Sequence, residues 1–349
     1  MSEITRVGVD LAKQVIQVHA VDQAEAVVTR RAVPRRAFLD WCARLPPGCL
    51  VAMEACTGAH HWARLLSKLG LKVRLIAPHL VTPYRRQGKT GKNDANDAAA
   101  VCEAASRPDM HFVPVKTVEQ QGILSVHVMR QGWEKDRTAC INRIRALLAE
   151  FGLVLAKGPE KLRLQLPELL EDATNDMPGV TRLAIQRAVQ HWRQLDEDIG
   201  WCDQQIQRHA RTEPRAQQAQ TLLGIGPIGA SALVASVSDF SQFTSGRQFA
   251  AWLGITPSQN SSGGRTRLGG ITKHGDEYLR MLLVTGAKAA IHRGKPREER
   301  VWLWAKQLSE RAGWQKAAVA LAAKNARILW AMFTRGQSFV PNHTSVKPT

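Results

Sequence analysis

The first 76 residues constrain the fold more tightly than any other part of the chain. Arg6–Leu11 (RVGVDL) and Val15–Val21 (VIQVHAV) are two β-branched runs joined by a tight turn at Ala12-Lys13-Gln14, and Val27–Val33 is a weaker third run. Their composition and spacing predict three strands in a meander. Arg35–Leu45 follows as a helix carrying Phe38, Leu39 and Trp41, stopped by Pro46-Pro47-Gly48. Leu50–Glu54 (LVAME) is short and apolar, the mark of a buried strand. An amphipathic helix over His60–Leu69, ended by Gly70, leads to a further strand at Lys72–Ile76 (KVRLI), then to a loop through Pro78 and Pro83. A meander followed by alternating helix and strand is an α/β layout, and this order suits an RNase H-like sheet.

That layout gives meaning to four carboxylates. Asp10 lies in the first strand, where an ionised side chain has little structural reason to be, and Glu54 ends the fourth. The first and fourth strands of such a sheet can be neighbours. The stretch Gly88–Glu103 (GKTGKNDANDAAAVCE) runs from a basic, glycine-interrupted loop through Asn93, an N-cap candidate, into an alanine-rich helix. Asp94 and Asp97, three apart, share one face of that helix. Alone, the pair would be read as acids complementing the helix dipole. With Asp10 and Glu54 they form a set whose mutual repulsion calls for a cation, and hard oxygen donors suit Mg²⁺ or Mn²⁺ in phosphoryl transfer. Glu103 turns to the other side of the helix, and Asp22 reads as a turn residue. Arg85, Arg86, Lys89 and Lys92, with no intervening acid, are suited to hold a nucleic-acid backbone beside the metals. Gly88-Lys89-Thr90 imitates the end of a P-loop, but Pro83 stands where the first glycine is required, which excludes a nucleotide-hydrolase site.

Charge agrees with a polyanionic partner. The chain of 349 residues carries 48 Lys+Arg against 30 Asp+Glu, a formal charge of +18, and nucleic acid is the first candidate. Six cysteines at 42, 49, 56, 102, 140 and 202 form no C-x-x-C pair, against a zinc ribbon and for reduced thiols. The opening MSEITRVGVD has no apolar core of a signal peptide, and no run of about 18 apolar residues occurs to span a membrane. The expected location is the cytoplasm.

Val118–Phe151 is long, polar and helical in period, with Ile123, Leu124, Val128, Ile141, Ile144, Leu147 and Leu148 as core positions; Leu183–Arg211 is a second such helix. The Pro-punctuated Lys157–Pro178 between them reads as a connector. Two long polar helices predict an antiparallel hairpin or a dimer contact, a linker without chemistry of its own. Beyond residue 216 come short apolar helices and Gly-rich turns. Gly224-Ile-Gly226-Pro-Ile-Gly229 has dinucleotide-loop spacing but no preceding strand, so a hairpin between two short helices fits better, acting as a structural turn or a phosphate clamp through its N–H groups. In Gly254–Lys273 (GITPSQNSSGGRTRLGGITK), Ser261 and Ser262 precede two glycines and are followed by Arg265, Arg267 and Lys273. A serine on such a flexible loop can attack a phosphodiester while guanidinium groups stabilise the developing charge; Ser-Gly loops are also commonly only loops. Trp302, Trp304, Trp314 and Trp330 read as core, His60 and His61 as structural, and Gln337–Thr349 as a disordered tail.

With these residues placed, the chain resembles, along nearly its full length, the bacterial insertion-sequence transposases that combine an N-terminal DEDD, RuvC-like domain with a C-terminal serine-bearing transposase domain. These are the recombinases guided by a bridge (or seeker) RNA encoded in the element. The resemblance is carried by GVDLAK around Asp10, MEAC and HHWA around Glu54, KNDANDAAAVCEA around Asp94 and Asp97, and HFVPVK at His111–Lys116. It continues in GIGPIGASAL, SGRQFAAWLGITPSQNSSGG and ITKHGDEYLRMLL. It implies a RuvC-like domain over 1–112, a helical coiled-coil linker or dimerisation region over 113–215, a mainly α transposase domain with a helix-hairpin-helix-like segment over 216–336, and a tail over 337–349. It implies that Asp10, Glu54, Asp94 and Asp97 bind Mg²⁺ and that Ser262 is the nucleophile, the two sets forming one composite active site. DNA is then cut through a phosphoserine link, exchanged and rejoined, with the element ends and target paired to a non-coding RNA by a dimer or tetramer. The nearest alternative is a Holliday-junction resolvase-like nuclease using the carboxylates alone. A non-catalytic nucleic-acid-binding protein is a second, and an actin-like sugar kinase a third that lacks its glycine-rich turn after Asp10.

Overall fold

The computed structural model describes residues 3–85, 93–293 and 298–342. They gather into two compact units, one made of the first 117 residues with Ser238–Thr244, the other of Val118–Val237 and the residues from Ser245 onward.

The first unit is a mixed α/β layer built on β1 (Arg6–Asp10), β2 (Val15–Val21), β3 (Val27–Pro34), β4 (Leu50–Glu54), β5 (Lys72–Ile76) and the two-residue β6 (Phe112–Val113). Their order across the sheet is β3-β2-β1-β4-β5-β6. The meander β1-β2-β3 is antiparallel, β1 and β5 both lie parallel to β4, and β6 closes the far edge antiparallel to β5. The two central strands bury their middles on both faces, as their unbroken apolar runs require.

One face of the sheet is covered by α1 (Phe38–Cys42) and α2 (Ala59–Lys68), whose Phe38, Trp62, Ala63 and Leu66 join Val7, Val9, Ile16 and Met53 in the main core. The helix expected over Arg35–Leu45 is shorter, because its first turn is a 3₁₀ turn over Arg35–Ala37. The opposite face carries α3 (Pro78–Val81) and α4 (Asp94–Ala104), where Val81, Ala100, Val101 and Ala104 pack on Ala52 and Ile76. Pro78 thus opens a helical turn where a loop was expected. The alanines of α4 are explained by the strand beneath it. A Cβ on Gly8 of β1 would stand 2.2 Å from the Ala98 carbonyl oxygen and 2.4 Å from the Cys102 nitrogen, so helix and strand touch backbone to backbone.

The second unit is mostly helical. Its spine is α5 (Val118–Ala149) and α7 (Gly179–Thr212). Ion pairs Arg130–Asp203 at 2.6 Å and Arg137–Asp196 at 3.2 Å show that the two run antiparallel. The expected connector between them is instead a helix, α6 (Pro159–Glu171). Leu162 and Leu166, one turn apart, bury into the groove formed by Ile141, Ile144, Leu148 and Trp192, and that burial holds a helix despite the internal Pro167. Then come α8 (Pro214–Ala219), α9 (Pro227–Ser236) and α10 (Gly246–Trp252), a hairpin of β7 (Pro257–Ser262) and β8 (Arg265–Ile271), and α11 (Glu277–Arg293), α12 (Arg300–Ala312) and α13 (Trp314–Arg335). The hairpin replaces the loop read from the Ser-Gly composition. Of the expected tail, residues 337–342 are described, and Gln337–Pro341 line a cavity with α12 and α13; residues 343–349 lie outside the described residues. No helix among the described residues is long and apolar enough to cross a membrane.

Candidate active site

Two parallel strands and one helix bring the acidic residues together. Asp10 ends β1 and Glu54 ends β4, and the register pairs Val9 with Met53, so the two carboxylates leave the same edge of the sheet side by side. The start of α4 supplies the others. Asn93 is its N-cap, its side-chain oxygen accepting from the Asn96 N–H at 2.8 Å, and this fixes Asp94 and Asp97 in the first turn. The backbone contact at Gly8 seats that turn over β1.

Electrostatics records the convergence. Asp10 is pushed up to about 6, first by burial and then by the negative charges of Asp94, Asp97 and Glu54. Among the described residues one cation opposes them. The Arg85 guanidinium donates through Nη2 to Glu54 Oε1 at 2.6 Å and places Nε 3.1 Å from Asp97 Oδ1, the second contact an ion pair without hydrogen-bond alignment. Arg85 therefore lies against the carboxylates themselves. Arg86, Lys89 and Lys92, expected to grip a backbone beside it, lie outside the described residues.

The donor set fits a hard divalent cation, since it is all carboxylate oxygen drawn from three elements and, among the described residues, sets four carboxyl groups against one arginine. Among the described residues no group of three or more His, Cys, Asp or Glu side chains already stands at metal-ligand spacing; Arg85 supplies the positive charge instead. Glu103 points away and pairs with Arg107. Asp22 holds a turn, its Oδ1 accepting from the Ala24 and Ala26 N–H groups at 2.9 and 3.0 Å. His60 accepts from the Lys116 N–H at 3.2 Å and is lowered to about 4 by burial, Lys116 and Arg64, which is a structural role.

Sequence reasoning passed over Arg30 and Arg31 of β3. They line a cavity of about 640 Å³ with Gln17, Asn93 and Asp94, and Arg30 Nη2 donates to Asn96 Oδ1 at 2.8 Å. The adjacent arginines were the available signal, but only the sheet order brings β3 to the helix start.

The serine stretch of the second unit is a β-ribbon. Gly263 and Gly264, at φ 55° and 75°, make the two-residue turn, a conformation that favours glycine at both positions. Ser262 pairs with Arg265, Ser261 with Thr266, and Asn260 with Arg267. Paired residues share a face and successive residues alternate, so Ser262, Arg265 and Arg267 lie on one face of the ribbon. Ser261 falls on the other face, where its hydroxyl accepts from Gln259 Nε2 at 2.8 Å. Both serines are exposed. Lys273 sits at the base of the ribbon at φ 57°, its N–H donating to the Gly254 carbonyl at 3.1 Å. That base is tightly closed, because a Cβ on Gly275 would meet the Trp252 carbonyl oxygen at 1.8 Å.

Gly224 and Gly226 join α8 to α9. Gly224 has φ 85°, and a Cβ on it would stand 2.9 Å from the Gly286 carbonyl oxygen of α11, so backbone conformation and close packing account for this glycine. Gly226 is the extended N-cap of α9, with open space at its Cβ position.

Comparison with known proteins places this arrangement in a class. Residues 7–152 match a DEDD transposase model of IS110 elements, and residues 216–302 match the family described as transposase IS116/IS110/IS902. The chain is 46% identical over 339 residues to a probable family 20 transposase of Pseudomonas aeruginosa, covering 97% of this chain and 99% of that one. It is 40% identical over 339 residues to the transposase for insertion sequence element IS1111A of Coxiella burnetii, covering 97% and 92% of the two chains. With the transposase for IS1328 of Yersinia enterocolitica the identity is 36% over 339 residues, covering 97% and 99%. The protein is a DNA transposase, an enzyme that binds DNA and acts on it by phosphoryl transfer. It belongs to the IS116/IS110/IS902 transposase family, and its DEDD domain points to use of a divalent metal.

Proposed function

We propose that the protein recombines DNA with Ser262 as nucleophile and with Asp10, Glu54, Asp94 and Asp97 holding Mg²⁺ (or Mn²⁺), guided by an RNA encoded in its element. The observation that carries this reading is the meeting of the four carboxylates at one sheet edge, in a chain of the transposase family. The antiparallel meander followed by parallel strands supports an RNase H-like, RuvC-like assignment for residues 1–112. The α5–α7 pair supports a coiled-coil linker or dimerisation region over 113–215, followed by the transposase domain over 216–336 and a tail over 337–349.

The ribbon geometry favours Ser262 over Ser261. On the face it shares with Arg265 and Arg267, its hydroxyl oxygen bonds to the scissile phosphorus as the bond to the deoxyribose oxygen breaks, the serine proton passing to water and the leaving oxygen taking one from water to become a hydroxyl. The guanidinium groups offset the charge that grows on the phosphate oxygens. The phosphoserine conserves the phosphodiester, so attack by a hydroxyl of another strand releases the serine and seals new DNA. When bound, the metal neutralises phosphate charge and polarises the reacting oxygens. Arg85, Arg86, Lys89, Lys92, Gly224, Gly226 and Lys273 hold nucleic-acid backbone in this scheme, with Arg85 exchanging its carboxylate contacts for a phosphate. Element ends, target and guide RNA meet on a dimer or tetramer.

Replacing Ser262 with Ala tests the chemistry, with Ser261→Ala beside it. The expected outcome with suicide DNA substrates is that S262A forms no covalent protein–DNA adduct and no recombinant product, while S261A keeps both. Recombination retained by S262A would remove the serine assignment and leave a nuclease that uses the carboxylates alone.

A further inference from the structure

The helix pair α12–α13 encloses a cavity of about 1110 Å³, closed on one side by Gln337–Pro341 of the chain that follows α13. This is larger than the roughly 300–1,000 Å³ of small-molecule pockets. Among the described residues four cations line it, Arg300, Lys324, Arg327 and Arg335, and no Asp or Glu does. None of the four makes a salt bridge among the described residues. Their spacing is helical rather than accidental, with Lys324, Arg327 and Arg335 recurring along α13 at intervals that keep them towards α12.

Such a cluster is self-repelling. Lys324 is lowered from its ordinary range by burial and by the charges of Arg327 and Arg300, so an anion among them would be favoured. The walls between the cations are apolar, with Ile328 and Met332 from α13 and Phe339 from the following segment. Trp304 of α12 lies half-buried in the same cavity, with Lys324 Nζ 4.3 Å from its ring centroid.

A duplex presents its phosphates on a wide, stiff surface and keeps its bases stacked inside. Cations arranged around an apolar, aromatic-lined hollow suit the opposite form, a strand whose bases are unpaired and can enter while its phosphates stay at the rim. We infer that the α12–α13 cavity is a binding site for an unpaired segment of a DNA strand, with Arg300, Lys324, Arg327 and Arg335 on its phosphates and Trp304 stacked on a base. The site lies apart from both the carboxylate cluster and the Ser262 ribbon in sequence, and it deepens the reading of the chain as a strand-exchanging enzyme, on which it rests for the DNA itself.

The test is equilibrium binding by fluorescence anisotropy of the full-length protein in EDTA, where no cleavage occurs. The outcome then does not depend on whether the carboxylates and Ser262 are catalytic. The probes are a labelled single-stranded DNA oligonucleotide, the duplex of the same sequence and the corresponding RNA oligonucleotide. The variants are Lys324→Gln with Arg327→Gln, the rim pair Arg300→Gln with Arg335→Gln, and Trp304→Leu, each checked for unchanged circular dichroism. Each double variant should weaken single-stranded DNA about tenfold while the duplex changes less than about twofold, and should lower the slope of log affinity against log salt by about 1.4, as for two single-strand phosphates. Trp304→Leu should cost at least about fivefold with its salt slope unchanged, the mark of a lost stack rather than a lost charge. Wild-type single-strand affinity in both double variants overturns the inference. So does an equal loss for single strand and duplex, which would be a general effect of charge, and so does a loss confined to the RNA probe.

Discussion

At the scale of single residues, Arg85 controls the state of the carboxylate cluster. Its guanidinium spans Glu54 and Asp97 and is the cation that opposes the upward push on Asp10. A divalent ion drawn to the same oxygens has to displace it, and a displaced Arg85 is free for a phosphate. Arg85→Gln should therefore tighten divalent-ion affinity by about tenfold, less than the roughly 1.5–3 kcal/mol of a hydrogen bond to a charged group because Arg85 is partly exposed and screened. The same variant should show a lower thermal midpoint without metal and a larger rise when Mg²⁺ is added. Isothermal titration with Mn²⁺ measures the first quantity, and affinity that is equal or weaker in Arg85→Gln would show that Arg85 helps to assemble the site rather than competing for it. In the sequence, Arg85 is one of several basic residues before a helix, and nothing in its spacing distinguishes a carboxylate partner from a backbone grip. Ser262 is the reverse case. Its neighbour Ser261 has the same composition around it, and only the strand register puts the two on opposite faces.

At the scale of elements, the site depends on how closely α4 approaches β1. Gly8 permits that approach, and a methyl group there would collide with the backbone at Ala98 and Cys102 rather than with a side chain able to move. Gly8→Ala should destabilise the first unit by about 3 kcal/mol, the upper end of the usual cost of overpacking, because backbone must move. It should also shift Asp94 and Asp97 from Asp10 and Glu54, so that metal-induced stabilisation in thermal melts is lost together with DNA cleavage. Full metal-induced stabilisation in this variant would show that the helix position is not what assembles the carboxylates. The second unit has its own sensitive point. His127 of α5 is buried, its Nδ1 2.9 Å from the Tyr278 hydroxyl of α11 and its Nε2 3.0 Å from Ser231 Oγ of α9, which also meets His209 Nδ1 of α7 at 3.0 Å. Burial, Arg130 and His209 lower His127 to about 4; Asp203 and Glu134 pair with Arg130. Since the folded value lies below the ordinary one of about 6.5, the unfolded chain binds the proton first. The stability this neutral histidine contributes is complete above pH 6.5 and falls by about 3 kcal/mol as pH drops towards 4. Urea unfolding between pH 7.5 and 4 should show that loss in the wild type and a smaller one in His127→Gln; equal pH slopes would remove His127 as its source. The N-terminal strands, the Asn93 cap and the long helices were legible because each is set by local periodicity or capping. The α6 helix and the ribbon were not. Pro167 and the Ser-Gly run are local signals for irregular chain, and they are overridden by the burial of Leu162 and Leu166 and by cross-strand pairing.

At the scale of the whole molecule, the excess of cations exceeds what the described sites use. The formal charge is +18, and the cations placed at the carboxylate cluster, the β-ribbon and the α12–α13 cavity are a minority of the 48 basic residues. Such an excess suits binding a polyanion through its backbone without reading its sequence, which the proposed delegation of specificity to a paired RNA would require. Charge alone also collects nucleic acid indiscriminately, and such binding weakens about 10³–10⁵-fold between 50 and 200 mM salt when 6–10 phosphates are contacted. A guide is held differently. Protein made in cells that also carry its element should, after a wash at high salt, retain one RNA of defined length, protected from nuclease over part of that length and transcribed from the element itself. A denaturing gel and sequencing of the retained RNA measure this directly. A smear of cellular RNA that leaves completely in the wash would mean that the positive surface serves DNA alone, and that target choice rests on protein contacts with the bases.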